Sequence, residues 1–225
     1  MLVTLHVWRV ARRSVGGALL RMARDPRRLR RLPGVRFAKL LGTGTGSTFG
    51  PGDADLTRYA AVVVWADGAR PDAVDESWRR IAVRGARLDL TPLTSRGRWS
   101  GTAPFGEPAG GRTDGMVLAL TRARLRPSRA LAFWRAVPPV TAELAAAPGL
   151  LARFGVGEAP IGWQGTVSVW RSTADLTAFA YRQPEHCAVI ARTPSDRWYT
   201  EDLFARFAVR DIEGDREVLR WRAER

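Results

Sequence analysis

The sequence predicts an α+β fold of two tandem ferredoxin-like halves, because a βαββαβ order of elements occurs twice along the chain. Each half contains a run of β-branched residues that ends in a tryptophan just before a helix, at Trp65 and at Trp170. Two such units can pack into an intramolecular dimeric α/β-barrel, with a cavity between sheet and helices. The predicted halves are residues 1–112 and 113–225.

Alternating and continuous apolar runs give the elements of the first half. Strands are predicted at 2–10, Val35–Leu41, Tyr59–Trp65 and Ala86–Leu93. Helices are predicted at Val15–Arg31, with a break at Asp25-Pro26, and at Pro71–Val83.

A loop rich in Gly, Pro, Ser and Thr, Thr94–Asp114, leads to the second half. Its strands are predicted at Gly115–Leu125, Leu151–Val156, Thr166–Trp170 and Leu203–Ile212. Helices are predicted at Pro127–Ala147, divided at Pro138-Pro139, and at Thr173–Thr193, where Ser172 and Asp175 form a capping box.

The composition excludes several classes of protein. With 45% hydrophobic residues in 225, the chain can bury a core and is not disordered. Its 36 basic and 22 acidic residues give a net charge of +14, but Lys39 is the only lysine, so the arginine excess has the character of genomic base composition and names no ligand. The single cysteine, Cys187, excludes an intrachain disulfide and a zinc site of several thiolates.

The N-terminal segment does not resemble a secretory signal, because Arg9, Arg12 and Arg13 follow the apolar residues instead of preceding them. No apolar run approaches the roughly 20 residues of a membrane helix. We expect a cytoplasmic protein whose basic region, Arg12–Arg31, can contact the anionic inner face of a membrane. No nucleic-acid-binding motif accompanies these arginines, so we expect no nucleic-acid partner.

Two motifs have ordinary structural explanations. The segment GTGTGS at 42–47 begins like a dinucleotide fingerprint, but the third glycine is replaced by Ser47 and no GK[ST] ending follows, which favours a glycine-rich turn. His6 lies in the middle of the first strand, where a hydrogen-bonded histidine of the core or of a cavity wall is expected.

Two other features leave alternatives open. His186 follows Pro184 and precedes Val189 and Ile190 at helical spacing, which favours either a core histidine or an axial ligand of haem iron. The loop Ser95–Phe105 carries arginines and aromatics that serve either recognition of an anion or coverage of the sheet edge.

Several long blocks resemble a known family. They are KLLGTGTGSTFGP, RWSGTAPF, AFWRAVPPV, GLLARFGVGEAPIGWQGTVSVWRSTADLTAFAYRQPEHCAVI and RWYTEDLFARFAV. Together they resemble the spheroidene monooxygenase family of carotenoid ketolases, from about Lys39 to Val209. The second half is also similar to ferredoxin-like α/β-barrel monooxygenase domains.

The resemblance implies a haem-dependent monooxygenase that oxidises a long apolar polyene with O2 and electrons from an external donor. It implies His186 as axial ligand of the haem iron and Arg98 as a partner of the haem propionates. Candidates for an apolar substrate pocket are Trp99, Phe105, Phe154 and Trp163. Alternatives on the same barrel are a haem enzyme that handles peroxide or oxyanions or acts as a dehydratase, and a non-enzymatic protein that binds haem or an apolar ligand.

Overall fold

Eight strands and a small number of helices make up the computed structural model, which describes residues 1–46, 51–66, 70–108, 110–129, 141–158, 163–182 and 198–222. The strands are β1 Leu2–Val10, β2 Val35–Gly44, β3 Ala54–Trp65, β4 Ala82–Gly97, β5 Val117–Leu125, β6 Leu150–Gly157, β7 Trp163–Trp170 and β8 Tyr199–Gly214. The helices are α1 Val15–Leu29, α2 Asp72–Asp75 and α3 Thr173–Arg182, and residues 141–146 are also helical.

The strands form one closed barrel in the order β1-β3-β2-β6-β7-β5-β8-β4, and all neighbours are antiparallel. The first four strands follow the order β4-β1-β3-β2, and the last four follow the corresponding order β8-β5-β7-β6. The predicted mixed α and β architecture is therefore confirmed.

The two groups of four strands meet along two unequal seams. The long seam joins β4 to β8 from Ala86↔Gly214 to Gly97↔Leu203. Among the described residues, the short seam joins β2 to β6 by three residue pairs, between the segments Gly42–Gly44 and Gly155–Gly157. The glycine-rich motif of the sequence is thus a strand end that pairs with a second glycine-containing segment, where the predicted turn would have ended β2 at Leu41.

Side chains along each strand point alternately into and out of the barrel, and those that point inward are apolar, including Leu5, Val62, Leu120 and Phe207. The void among them is about 10 Å³, at the lower limit for a single water molecule. The segment 97–106 closes one end of the barrel with Trp99 and Phe105, and the segment 216–221 packs Val218 and Leu219 into the core. The interior formed by the described residues therefore holds no ligand cavity.

Helices cover the outer surface of β1–β4. Helix α1 packs Ala18 and Leu29 on the sheet and continues through Pro26, so the predicted break is wrong; burial of Leu29 holds the last turn on the sheet although proline cannot donate a hydrogen bond. The predicted helix Pro71–Val83 is also wrong beyond Asp75. The chain turns there to stack Trp78 on Trp8, at a ring-centroid distance of 4.7 Å, before β4 begins.

A shorter helical cover lies on the outer surface of β5–β8. Helix α3 begins as predicted, because Ser172 Oγ accepts a hydrogen bond from the backbone N–H of Asp175 at 3.1 Å. The predicted helical segments at 130–140 and 183–193 lie outside the described residues. In the described parts of the chain, no helix is long and apolar enough to cross a membrane.

Candidate functional site

The outer surface of the sheet in the second half carries four short side chains, those of Ala119, Thr121, Thr166 and Ser168. Register places Ala119 of β5 between Ser168 of β7 and Arg206 of β8. The next row places Thr121 between Thr166 and Phe204. Because side chains alternate along a strand and the intervening residues fill the barrel, these two rows point outward. We call these six residues the sheet face.

Five of the six residues of the sheet face are only partly buried, and Ser168 is buried. The two residues of β5 at the centre of the sheet face, Ala119 and Thr121, have short side chains. Arg206 lies at the edge of the sheet face and, within the described parts of the chain, forms no ion pair. The guanidinium of Arg96 stacks on the ring of Phe204, 4.5 Å from its centroid, and adds a second positive charge beside the sheet face.

An apolar wall borders one end of the sheet face. Trp170 is fully buried, and its ring lies 5.3 Å from that of Phe179 of α3. Leu144, Ala147 and Leu176 pack in the same cluster. The side chain of Trp170 is fixed further by the hydrogen bond from its Nε1 to Ser168 Oγ at 2.9 Å. The wall is itself buried, so the partly buried residues of the sheet face are the ones that can contact an apolar molecule, and the arginines can hold a carboxylate.

The described structure places three of the predicted site residues, Trp99, Phe105 and Phe154, in one core cluster. His186 lies outside the described residues, and so does the side chain of Trp163. Arg98 is exposed, and its Nη1 donates to the carbonyl of Gly101 at 2.8 Å within the segment that closes the barrel. Its predicted partnership with a propionate stays a prediction.

The remaining three predicted residues belong to the barrel core. Trp99, Phe105 and Phe154 are at most 1% exposed. Phe105 packs edge-to-face on Phe207 with ring centroids 4.9 Å apart. These side chains pack in the core formed by the described residues, and their assignment to a substrate pocket stays a prediction.

A charged cluster lies where the segment 97–106 meets the barrel, and we call it the end cluster. Arg122, only 4% exposed, pairs with Glu201 and, at 3.0 Å, with Glu158. Glu158 also accepts hydrogen bonds from Trp99 Nε1 at 2.6 Å and from Lys39 Nζ at 2.7 Å. Every charge in this cluster has an opposite partner, which is typical of a structural network rather than of a reactive centre.

A chain of buried hydrogen bonds lies between the outer face of the first-half sheet and helix α2. His6 Nδ1 is 3.1 Å from Asp75 Oδ1, and His6 Nε2 is 3.0 Å from Thr4 Oγ1. Trp65 Nε1 donates to Thr4 Oγ1 at 2.9 Å, and Trp8 Nε1 donates to Asp75 at 2.7 Å. The order of groups resembles a nucleophile, base and acid, but Thr4 is completely buried and already hydrogen-bonded, so no substrate can reach it. His6 is a satisfied core histidine, as its position in the sequence favours.

Asp75 is expected to make stability depend on acid pH. Burial opposes its ionisation, but hydrogen bonds from His6 and Trp8 outweigh burial and hold its pKa below the usual 3.8. Its contribution is therefore present above about pH 4 and is lost as the pH falls through its lower folded pKa. We expect Asp75→Asn to lower the free energy of unfolding at pH 7 by about 2 kcal/mol, measured by urea denaturation, and to reduce the loss of stability below about pH 4.

The matched control is Asp72→Asn on the same helix, where the carboxylate is 74% exposed and pairs with Arg87. An exposed pair contributes at most about 1 kcal/mol. If Asp72→Asn and Asp75→Asn had equal effects at neutral and at acid pH, the buried chain of hydrogen bonds would have no special role in acid stability.

Sequence reasoning missed Arg206 and Phe204 as site residues. Both lie within the predicted strand Leu203–Ile212, and alternation along that strand places them on one face. The signal that was absent is the register with β5 and β7, which one sequence does not contain. Among the described residues, no group of three or more His, Cys, Asp or Glu side chains could hold a metal ion.

Comparison with proteins of known function gives the class. The chain is 35% identical to spheroidene monooxygenase of Rhodobacter capsulatus over 192 residues, which cover 81% of this chain and 78% of that protein. It is 38% identical to spheroidene monooxygenase of Rubrivivax gelatinosus over 189 residues, covering 81% and 72%. The protein is a monooxygenase. It belongs to the spheroidene monooxygenase family.

Solved structures support the fold. An aldoxime dehydratase in complex with butyraldoxime superposes with a TM-score of 0.60 at 12% identity, covering 95% of this chain and 81% of that one. At this identity the likeness concerns the fold alone. No protein-family model matches the chain.

Proposed function

We propose that the protein is a haem-dependent monooxygenase that introduces oxygen into a long apolar polyene of the carotenoid class. The reaction consumes O2 and electrons from an external donor. The observation that carries the substrate class is the identity of 35% and 38% to two spheroidene monooxygenases over four fifths of the chain. Haem supplies the activation of O2 when it is bound.

The sheet face supports the choice of haem. The short side chains of Ala119 and Thr121 would let a flat ring approach β5, and the cluster of Trp170 and Phe179 lies beside them. Arg206, which has no carboxylate partner in the described ranges, can pair with a propionate. His186 follows the last residue of α3 by four positions in the sequence and is our candidate for the residue that would hold the haem iron.

The chain's own residues then have three tasks. The sheet face orients the flat group by contact on one side. Arg206 fixes its carboxylate edge, and Arg98 stays a second candidate for this task. The filled barrel beneath keeps water away from the buried surface, because the interior formed by the described strands has no space for solvent.

The fold suggests how this site arose. We infer that residues 1–112 and 113–225 are tandem ferredoxin-like units that form an intramolecular dimeric α/β-barrel. The support is the corresponding strand order β4-β1-β3-β2 and β8-β5-β7-β6. The outer surface of the first half is filled by Trp8, Trp78 and Tyr59, whereas the sheet face of the second half has short side chains at Ala119, Thr121, Thr166 and Ser168. This difference in side chains is the reason why we assign the cofactor to the second half.

Absorption spectroscopy of the protein purified with haem supplied tests the cofactor. We expect a Soret band, its loss or displacement in His186→Ala, and weaker haem binding by roughly tenfold in Arg206→Gln, the loss of one charged hydrogen bond. The matched control is Arg210→Gln, an exposed arginine on the same strand. No Soret band in the wild type, or equal effects of the two arginine variants, would contradict the proposal.

Incubation with a panel of carotenoids, O2 and a reductant tests the reaction. We expect a product that contains an additional oxygen atom. When the reaction is run under isotopically labelled O2, this atom should carry the label. A haem-loaded protein that consumes peroxide and leaves the carotenoids unchanged would instead indicate the peroxide-handling alternative. A haem-loaded protein that does neither would indicate a binding protein.

A further inference from the structure

A basic cleft of about 430 Å³ lies between α1 and the turn that follows α2. Arg21, Arg24 and Arg28 line it from α1, and Arg80 lines it from the turn. Spacings of three and four residues place the three helical arginines on one side of α1. The cleft belongs to the first half and shares no residue with the sheet face.

The positive charge of the cleft exceeds its negative charge. Its two carboxylates are already engaged, since Asp25 accepts a hydrogen bond from Ser77 Oγ at 2.6 Å and Glu76 pairs with Arg28 at 2.9 Å. In the part of the chain that the structure describes, Arg21, Arg24 and Arg80 form no ion pair. Four guanidinium groups thus face two carboxylates.

Arg28 provides an independent sign of a missing acceptor. Its Nη2 donates to the carbonyl of Ala73 at 3.0 Å and to Glu76, but its Nη1 is buried and has no hydrogen-bond partner within the described residues. A buried donor without an acceptor is unfavourable, and an anionic oxygen in the cleft would satisfy it.

Apolar side chains accompany the arginines on the surface of α1. Leu19 and Leu20 are 50% and 48% exposed, and Leu20 lines the cleft. Further arginines continue along the same segment at Arg27, Arg30 and Arg31. Leucines beside a cluster of arginines are typical of a helix that lies at the surface of an anionic membrane.

We propose that the basic cleft binds the phosphate group of an anionic phospholipid while Leu19 and Leu20 enter the headgroup region of the bilayer. A nucleic acid would satisfy the arginines but leave both leucines in water. The volume of the cleft suits one headgroup, whereas a nucleic-acid strand needs a continuous groove. The proposal is independent of haem binding.

Flotation with vesicles of phosphatidylcholine, with and without phosphatidylglycerol, tests the cleft. We expect the wild type to bind only the vesicles that contain phosphatidylglycerol. The double variant Arg24→Gln/Arg80→Gln should bind them roughly 30-fold more weakly, as two arginines near an anionic surface predict. The matched control, Arg112→Gln/Arg210→Gln, loses the same charge from exposed arginines outside the cleft and should change binding by less than about threefold.

Four results would overturn the proposal. They are equal weakening by both double variants, equal binding to both kinds of vesicle, binding of inorganic phosphate or RNA that depends on Arg24 and Arg80 while vesicles do not bind, and unchanged binding in Leu19→Ser/Leu20→Ser. Urea denaturation of each variant verifies that the fold is retained. Because the readout is vesicle binding, it does not depend on haem or on activity.

Discussion

Replacing Arg122 with methionine is expected to lower the free energy of unfolding by about 3 to 5 kcal/mol, the usual effect of removing one partner from a buried ion pair. The side chain is 4% exposed and lies between Glu158 and Glu201. Methionine fills a similar volume but leaves both carboxylates with fewer partners. Equilibrium denaturation in urea at about pH 7 measures the change.

The pH dependence of this variant separates charge from packing. Burial disfavours the ionised form of Glu201, but hydrogen bonds from the backbone N–H of Gly101, from Arg122 and from the N–H of Ser100 hold its pKa below the usual 4.5. This stabilisation exists above about pH 4.5 and is lost as the pH falls through the lower folded pKa. We therefore expect the difference between wild type and Arg122→Met to shrink below about pH 4. A difference independent of pH would indicate lost packing alone.

The control for Arg122 is Arg112→Met, an exposed arginine in the loop before β5. Surface substitutions of this kind change stability by about 0.5 kcal/mol or less. An effect of Arg112→Met similar to that of Arg122→Met would show that the end cluster contributes nothing special to the fold.

The second large effect is expected for Gly97→Ala. Gly97 has φ +88°, and a Cβ there would lie 2.3 Å from the carbonyl oxygen of Asp202, the atom that accepts the N–H of Arg98. The added methyl group must push β4 away from β8 just where the segment 97–106 turns over the end of the barrel. We expect a loss of about 3 kcal/mol in the free energy of unfolding, which combines backbone strain and overpacking.

Gly101→Ala in the same segment is the matched control. Gly101 has φ +75°, but no atom of the described residues lies within 4 Å of a Cβ built on it. It should therefore cost only the backbone strain, about 1 to 2 kcal/mol. Equal losses in the two variants, measured by urea denaturation, would refute the steric argument for Gly97.

Local sequence patterns predicted the strands well. A strand that is buried on both faces gives a continuous apolar run, and a strand that is buried on one face gives an alternation of apolar and polar residues. The first strand was predicted with its observed bounds, Leu2–Val10, and the other strands differ mainly at their ends. The helix Pro71–Val83 failed for a tertiary reason. Val74, Trp78 and Ile81 have helical spacing, but in the structure a turn, and not a helix, brings Trp78 into its stacking contact with Trp8.

Pairing between distant segments could not be predicted from one sequence. The glycines at 42–44 meet those at 155–157, and Arg206 comes beside Ala119, only after the barrel has closed. The loop Ser95–Phe105 left recognition and packing open, and the structure shows its two aromatic side chains, Trp99 and Phe105, in the core. Their apolar character was evident from the sequence, but the direction in which the loop folds was not.

The unequal seams make the barrel mechanically asymmetric. Strands β4 and β8 are held along most of their length, whereas β2 and β6 share three residue pairs with a glycine at both ends of each segment. Glycines contribute no side-chain packing across that line. On heating, the barrel should therefore open first between β2 and β6, while β4 and β8 stay paired. Each half would keep its own four-stranded sheet as the two halves separate at the short seam.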